Sequence, residues 1–453
     1  MRSVPWLPDP LNKMDPLVSA IARSRRRLLP FLLLMYVVAF LDRANIGFAK
    51  LALQQSAGIS EAAYAWGAGL FFLPYALFEV PSNLMLGRVG ARLWMSRIMV
   101  SWGVVSACMM FVHGSESFYT LRFLLGAAEA GFFPGVIFYL ASWFPSSVRG
   151  EIFGYFYLGA PLALIFGGPF SGLLLHLHSV FGLQGWQWLF LIEGMLAVAV
   201  GIWSFAFLCD SPAEASWLTA SEQSVLSDAL AEEAHQRRRH GPSDFLDALR
   251  DRNLVHFAIV YLLIQMAVYG VVFYLPAQVS LLLHKSDSIE TGFVSAIPWV
   301  CALFATLAVS RYTVKRRQKI RMSAVVILVV CAGAGLLYSQ SRPLTAITAL
   351  CVGASGLIAV QPLFWSFPTS YLSDRAAAGG IAVINAIGAI GGFAAANIKA
   401  QADLLFHSPR AGLYVLSAFT LVCAFLTARF RINTPSILDV GTASGPVRRE
   451  VNE

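Results

Sequence analysis

Ionisable residues stand in this chain where they are expensive to keep. Asp42 and Arg43 are neighbours inside the first long apolar run, and Arg122 and Glu129 lie seven apart inside another. At bilayer depth each costs roughly 2.5 to 3.5 kcal/mol even on a lenient insertion scale, so such groups persist where they pair or handle ions. Seven residues make nearly two helical turns, which puts Arg122 and Glu129 on one face. Buried carboxylates can take up protons, because desolvation favours the neutral form, and a guanidinium can grip a carboxylate through two parallel hydrogen bonds. Asp42 and Arg43 point about 100° apart on a helix, so they serve separate tasks. The chemistry expected is proton binding at Asp42 and Glu129, with Arg122 exchanging between them, and binding of an anion by Arg43.

The elements that must position these groups follow from composition. The 453 residues are 57% hydrophobic and 13% charged, about half the charge of a soluble domain, with a mean hydropathy of +0.65. Apolar runs long enough to span a bilayer fall near Leu28 to Leu53, Ala62 to Leu86, Leu93 to Val112, Phe118 to Leu140, Ile152 to Leu175 and Trp186 to Leu208. Six more fall near Leu254 to Val279, Thr291 to Val309, Met322 to Tyr338, Leu344 to Ser366, Ala376 to Ala400 and Gly412 to Phe430. The fold expected is therefore an all-α membrane protein of twelve transmembrane helices in two six-helix bundles, residues 28–208 and 253–430. A tail (1–27), a polar linker (209–252) and a second tail (431–453) complete the chain.

Of the 33 Lys and Arg, five fall at one set of loops (Lys50, Lys285, Arg342, Lys399, Arg410) and two inside the membrane (Arg43, Arg122); the other 26 lie on the side of the tails and linker. The positive-inside rule then predicts that both termini are cytoplasmic. This distribution accounts for the net charge of +8 without a nucleic-acid partner. The N-terminal tail lacks a small-residue cleavage site and is expected to stay. Six scattered cysteines without Cys-x-x-Cys spacing indicate neither a metal cluster nor a disulfide framework. Ser147-Val148-Arg149-Gly150 parallels Ser373-Asp374-Arg375-Ala376, and each opens a Gly/Ala-rich helix, which suggests a repeated half.

Asp42, Glu79, Glu129 and Glu193 are the intramembrane acids, and all lie in the first half with both intramembrane arginines. Counting 1.5 Å per residue places Arg122 near the depth of Asp42 and outward of Glu129, and its long guanidinium is read as reaching between them, which is why the three are read as one switchable set. A plainer reading, in which the charges pin helices together, stays open for Glu79 and is preferred for Glu193. The second half offers neutral polar residues at helix centres instead: Gln265, Tyr269, Tyr274, Gln361, Trp365, Ser366, Thr369, Asn385 and Asn397. With Arg43 and Tyr75 they could build a midplane site for a small carboxylate. Asn385, central in a helix of small residues, is the foremost of them.

Leu41-Asp42-Arg43-Ala44-Asn45-Ile46-Gly47, Pro81-Ser82-Asn83-Leu84, the run Arg122 to Gly135, Trp143-Phe144-Pro145, Gly185 to Gly194, Asp210-Ser211-Pro212 and Gly391-Gly392-Phe393 together resemble the anion:cation symporter family of the major facilitator superfamily. The resemblance covers the first eleven helices. It implies proton symport of organic anions such as galactonate, hexuronates, tartrate, rhamnonate or aromatic acids in a bacterial inner membrane. It also implies proton sites at Asp42 and Glu129 with Arg122 as partner, and substrate contacts at Arg43, Tyr75 and Asn385. Two departures stand out: Gly87 replaces the usual acid of the second-to-third loop, and Ala160-Pro161 and Ala396 stand where sugar-acid members can carry an amide and a proline. A smaller or more apolar carboxylate is the better-supported cargo.

The function expected is import of a small organic anion by proton symport through alternating access. The proton gradient supplies the driving force, without cofactor or metal, and the partners are the anion, protons and lipid, with the protein a monomer. A proton-coupled efflux antiporter is the alternative, since Gly159-Ala160-Pro161 and Gly167-Gly168-Pro169 echo an efflux motif; a membrane sensor ranks lower because no large effector segment is present. An enzyme is not indicated, as no nucleophile–base–acid set, His-Glu-x-x-His or phosphate loop occurs.

Overall fold

Sixteen helices fill the described residues of the computed structural model, which are 15–177, 180–240, 251–283, 289–313, 318–339, 342–365, 367–368, 374–408 and 410–429. Residues 1–14 and 430–453, Ser366, Thr369 and Ser373 of the second paired tag lie outside them. The first half contains α1 (Pro16–Ser56), α2 (Glu61–Leu70), α3 (Phe72–Val89), α4 (Ala91–Cys108), α5 (Gly114–Glu129), α6 (Phe132–Trp143), α7 (Ser146–Tyr157), α8 (Gly159–Leu175) and α9 (Gly185–Phe207). After the linker helix α10 (Ala220–His240) come α11 (Arg252–Leu283), α12 (Ile289–Thr313), α13 (Gln318–Tyr338), α14 (Pro343–Trp365), α15 (Asp374–Leu405) and α16 (Ala411–Arg429). Eleven stretches among them are long and apolar enough to cross a membrane, or twelve if the bent pair Glu61–Glu79 and Pro81–Val89 is one span.

Of the spans expected as single helices, the fourth leaves helical geometry at Ala130-Gly131, whereas the second and fifth are interrupted at Phe71 and Leu158 with the backbone still at right-handed helical angles. Gly131 takes φ +88, a left-handed backbone that glycine adopts without cost, and a Cβ there would lie 2.3 Å from the Ser82 hydroxyl. The Pro81-Ser82-Asn83 motif is thus packed against the break that ends α5 at Glu129. Another difference lies at the start of the chain: α1 begins at Pro16, with the Asp15 side chain capping Leu17 N at 2.8 Å, so the expected tail up to residue 27 is helical from Pro16 onward.

The halves meet through α1 with α11, α2 and α3 with α15, and α8 with α12. In span numbers these are one with seven, two with eleven and five with eight, a set that maps onto itself when the halves are exchanged, as a two-fold repeat requires. Glycine sits at each crossing. A Cβ on Gly168 would lie 2.5 Å from Gly292 O, one on Gly392 2.5 Å from the Phe72 ring, and one on Gly47 3.0 Å from Val272 O. The small-residue stripes permit close backbone approach at Gly168 and Gly47 and make room for the Phe72 ring at Gly392.

Linker and first bundle are joined on the arginine-rich side. Thr219 and Glu222 form a capping box at the start of α10, with Thr219 N donating to Glu222 Oε2 at 2.9 Å and Glu222 N to Thr219 Oγ1 at 3.3 Å. The other oxygen of Glu222 accepts from Ser19 Oγ at 2.6 Å and pairs with Arg23 at 3.2 Å, both on the extended start of α1. Asp210 accepts from Arg92 N at 2.8 Å at the N-terminus of α4, so it supplies a carboxylate close to the loop in which Gly87 replaces the usual acid.

Candidate functional site

Arg43 projects from α1 into a cavity between the halves. Its Nε and Nη2 both donate to Glu129 Oε1 at 2.5 Å, and Nη1 donates to the Tyr269 hydroxyl at 3.2 Å. The guanidinium also lies 4.8 Å over the Tyr75 ring. Glu129 reaches Arg43 because α5 ends there. The chain turns at Ala130-Gly131 and leaves the carboxylate on the cavity side.

Arg122 is bonded to backbone carbonyls rather than to Asp42 or Glu129. It donates from Nε to Gly67 O at 3.1 Å and from Nη2 to Ala68 O at 3.0 Å, and its guanidinium stands 4.9 Å over the Phe71 ring. Gly67 and Ala68 lie in the last turn of α2, just before the interruption at Phe71. Seven-residue spacing on α5 could not reveal these acceptors. Glu129 is therefore paired with Arg43, and Arg122 staples α5 to α2 while remaining in electrostatic reach of Asp42 and Glu129.

Asp42 faces away from the cavity, into the first bundle. Its Oδ1 accepts from Asn45 Nδ2 at 2.9 Å and from the Ser106 hydroxyl of α4. The separation of Asp42 from Arg43 that the helical angle predicts is thus present.

Across the cavity, Asn385 of α15 donates to Glu79 Oε1 at 2.7 Å, which ties α3 to α15 through the site. Glu79, read as either functional or structural, is fully buried and bonded to a cavity residue. Tyr75, Tyr269, Gln265, Gln361 and Asn385 line the cavity. Trp365 packs edge-on against Tyr261, ring centroids 4.8 Å apart, one layer behind the lining. Asn397 donates to its own helix at Phe393 O, and Tyr274 lies elsewhere, between two lysines described below. Sequence reasoning missed Tyr36, Phe40, Phe72, Phe133, Tyr157 and Tyr261, which complete an aromatic wall. Aromatic residues are common in every span, so only the placement of their helices distinguishes these six.

Lys50 and Lys399, assigned to loops from the sequence, are buried on α1 and α15. Lys50 Nζ pairs with Glu61 at 2.8 Å and Lys399 Nζ with Asp403 at 2.5 Å. Both ammonium groups approach the Tyr274 ring, at 4.7 and 4.3 Å, so the halves join there through one shared aromatic ring.

A polar cavity between two six-span halves invites comparison with known carriers, and the family model of the Major Facilitator Superfamily matches residues 32–396. The chain belongs to the Major Facilitator Superfamily. This superfamily member is 45% identical over 415 residues to the inner membrane transport protein RhmT of Escherichia coli K12, covering 92% of this chain and 96% of that one. It is 38% identical to a putative tartrate transporter of Agrobacterium vitis (92% of each chain) and 38% identical to a quinolone resistance transporter of Acinetobacter baumannii (88% of this chain, 92% of that one). Its fold matches the partially occluded, inward-open xylose transporter XylE of E. coli with a TM-score of 0.71 at 15% identity, covering 90% of this chain and 99% of that one. The protein is a multi-pass membrane transporter of this superfamily.

Proposed function

We propose that this transporter imports a small hydroxy or sugar acid together with protons, in a bacterial cytoplasmic membrane, with the tails and linker inside. The observation that carries the reading is the bond between Arg43, which lines the cavity, and the buried carboxylate of Glu129 behind it. Arg43 is the cation in that lining, and Glu129 engages its guanidinium. A substrate carboxylate competes with Glu129 for the same guanidinium, and protonation of Glu129 removes the competitor. Proton and anion then load together, because each makes room for the other's charge, and departure of the proton restores the internal pair and expels the anion. Asp42 serves as a second proton site, while Arg122 holds the second and fourth spans in register.

Coupling has an energetic reason. A monoanion entering an interior-negative cell opposes about 2.3 kcal/mol per 100 mV, which one proton cancels and a second would reverse. Tyr75, Tyr269 and Asn385 then orient the anion, with Trp365 backing the Tyr261 wall. The quinolone resistance relative favours a second reading, proton-driven efflux of a drug-sized molecule. Uptake of labelled tartrate, sugar acids and aromatic carboxylates by expressing cells, with and without an uncoupler, separates the two. Uncoupler-sensitive accumulation of a carboxylate supports symport, whereas absence of any accumulation combined with expulsion of a fluoroquinolone would establish efflux.

A further inference from the structure

Positions three and four apart are neighbours on a helix, so Phe72, Tyr75 and Glu79 share one face of α3, and Asn385, Ala389 and Gly392 share one face of α15. Phe72, Tyr75, Asn385 and Ala389 line the cavity. The two faces meet in antiparallel register. Gly392 seats the Phe72 ring, and seven residues along each helix Asn385 Nδ2 donates to Glu79 Oε1 at 2.7 Å. Glu79 is fully buried behind the lining and meets the cavity through Asn385.

That bond settles which end of the Asn385 amide is free. A carboxyl oxygen that accepts cannot face an amide carbonyl, which also accepts, so the amide must turn its nitrogen toward Glu79. Glu79 Oε2 has no partner, so the two groups meet through a single bond and not as a cyclic acid–amide pair. Asn385 Oδ1 accepts no hydrogen bond among the described residues and is not one of the enclosed unpartnered atoms, which leaves it open on the cavity side. Gln265 of α11, also in the lining, has an Oε1 that lacks a donor. A carboxylate on the cargo satisfies the Arg43 guanidinium but brings no hydrogen for these oxygens. A hydroxyl on the same molecule does, and a site built to bond a hydroxyl rejects an analogue that lacks it.

We propose that Glu79 is a positioning residue for cargo selection: it holds the Asn385 amide with its carbonyl toward the cavity, where that oxygen accepts from a cargo hydroxyl. The inference rests on the reading that the cargo is a carboxylate held by Arg43, and it is independent of proton coupling and of transport direction. Glu79→Gln keeps the shape and a hydrogen-bonding group, but an amide at position 79 can meet Asn385 with either end, so the carbonyl is no longer fixed. A bridge that merely pinned α3 to α15 would alter the binding of every cargo alike.

The test is calorimetric binding to the purified full-length protein in lipid nanodiscs, without any gradient. The probes are tartrate and gluconate, set against succinate and hexanoate, which have the same carbon chains and carboxylates without hydroxyls. In the wild type the hydroxylated member of at least one pair should bind about tenfold more tightly. Glu79→Gln should cut that preference to about threefold or less, by weakening the hydroxylated acid while its counterpart is unchanged. Asn385→Ala should cut it equally, and the double variant should go no further. No preference in either pair, or a preference undiminished in Glu79→Gln, would overturn the proposal. Should Glu79→Gln fail to fold, Glu79→Met, of similar shape but without an acceptor, takes its place with the same expectations. If none of the four acids binds, the carboxylate reading falls as well; if they bind and the ratio stays, the role of Glu79 alone is refuted.

Discussion

At the scale of single residues, the central relation is competition for one guanidinium. Arg43 is bonded to Glu129 and Tyr269, and all three lie where a carboxylate cargo would need to bind. Glu129→Gln should abolish proton-driven accumulation while leaving exchange of substrate across the membrane intact, a contrast read by comparing uptake driven by a pH gradient with counterflow. Arg43→Lys keeps the charge and loses the planar fork, so uptake should fall at least about tenfold, equivalent to about 1.4 kcal/mol. Arg122→Gln is expected to act on folding, since each charged hydrogen bond to Gly67 and Ala68 is worth about 1.5–3 kcal/mol. Its signature is a lowered thermal midpoint of the purified protein. The individual residues were legible in the sequence, because charge inside an apolar run is a strong signal. Their pairing was not, because it depends on the turn at Ala130-Gly131 and on which carbonyls of α2 face α5, neither of which periodicity marks.

At the scale of elements, that turn and the glycines at the crossings position the site. Gly168 and Gly292 pack α8 on α12 so closely that a methyl group on either meets the other's carbonyl. Gly168→Ala should therefore destabilise the protein by about 1–3 kcal/mol and slow transport, as seen in thermal unfolding and initial uptake rates. Helix counting from hydropathy came close to the observed bounds, since twenty apolar residues have few alternatives in a bilayer. The helical start at Pro16 was hidden, because its polar stretch is stabilised from outside by Glu222 of α10. Partial burial tends to raise the Glu222 carboxyl, but bonds from Ser19 and Thr219 and the Arg23 charge outweigh it and hold it below the usual carboxylate range. The folded protein thus favours the anion. The contribution of Glu222 is complete above the ordinary glutamate value, about 4.3, and is lost as pH falls through the lower folded value. Glu222→Gln should cost about 0.5–2 kcal/mol at neutral pH, and the difference from wild type should vanish in acid, measured as midpoints across a pH series.

At the scale of the whole molecule, two halves related by a pseudo-two-fold close around a polar cavity and are bridged on both sides of it. Within the site, Arg43 reaches Tyr269 and Asn385 reaches Glu79. Farther along, Lys50 and Lys399 converge on Tyr274, which itself bonds Ala396 O. Alternating access requires these bridges to separate in turn. Tyr274→Leu removes both cation–π contacts, worth about 0.5–2 kcal/mol each, and should favour the state open on that face. A cysteine at Ala389, in a background without the six native cysteines, should then react faster with an impermeant maleimide applied from that side. The six-plus-six plan was readable from hydropathy and one polar linker. The inter-half bridges were not, since they join residues far apart in sequence whose types are unremarkable singly.

The most direct test of proton–anion symport uses the purified protein in liposomes, with an imposed pH gradient, acid outside, and labelled tartrate or the best carboxylate from the cell panel. The account predicts accumulation above equilibrium that collapses with an uncoupler and is absent in Glu129→Gln, which still exchanges substrate. Accumulation that ignores the uncoupler, or that persists undiminished in Glu129→Gln, would contradict it.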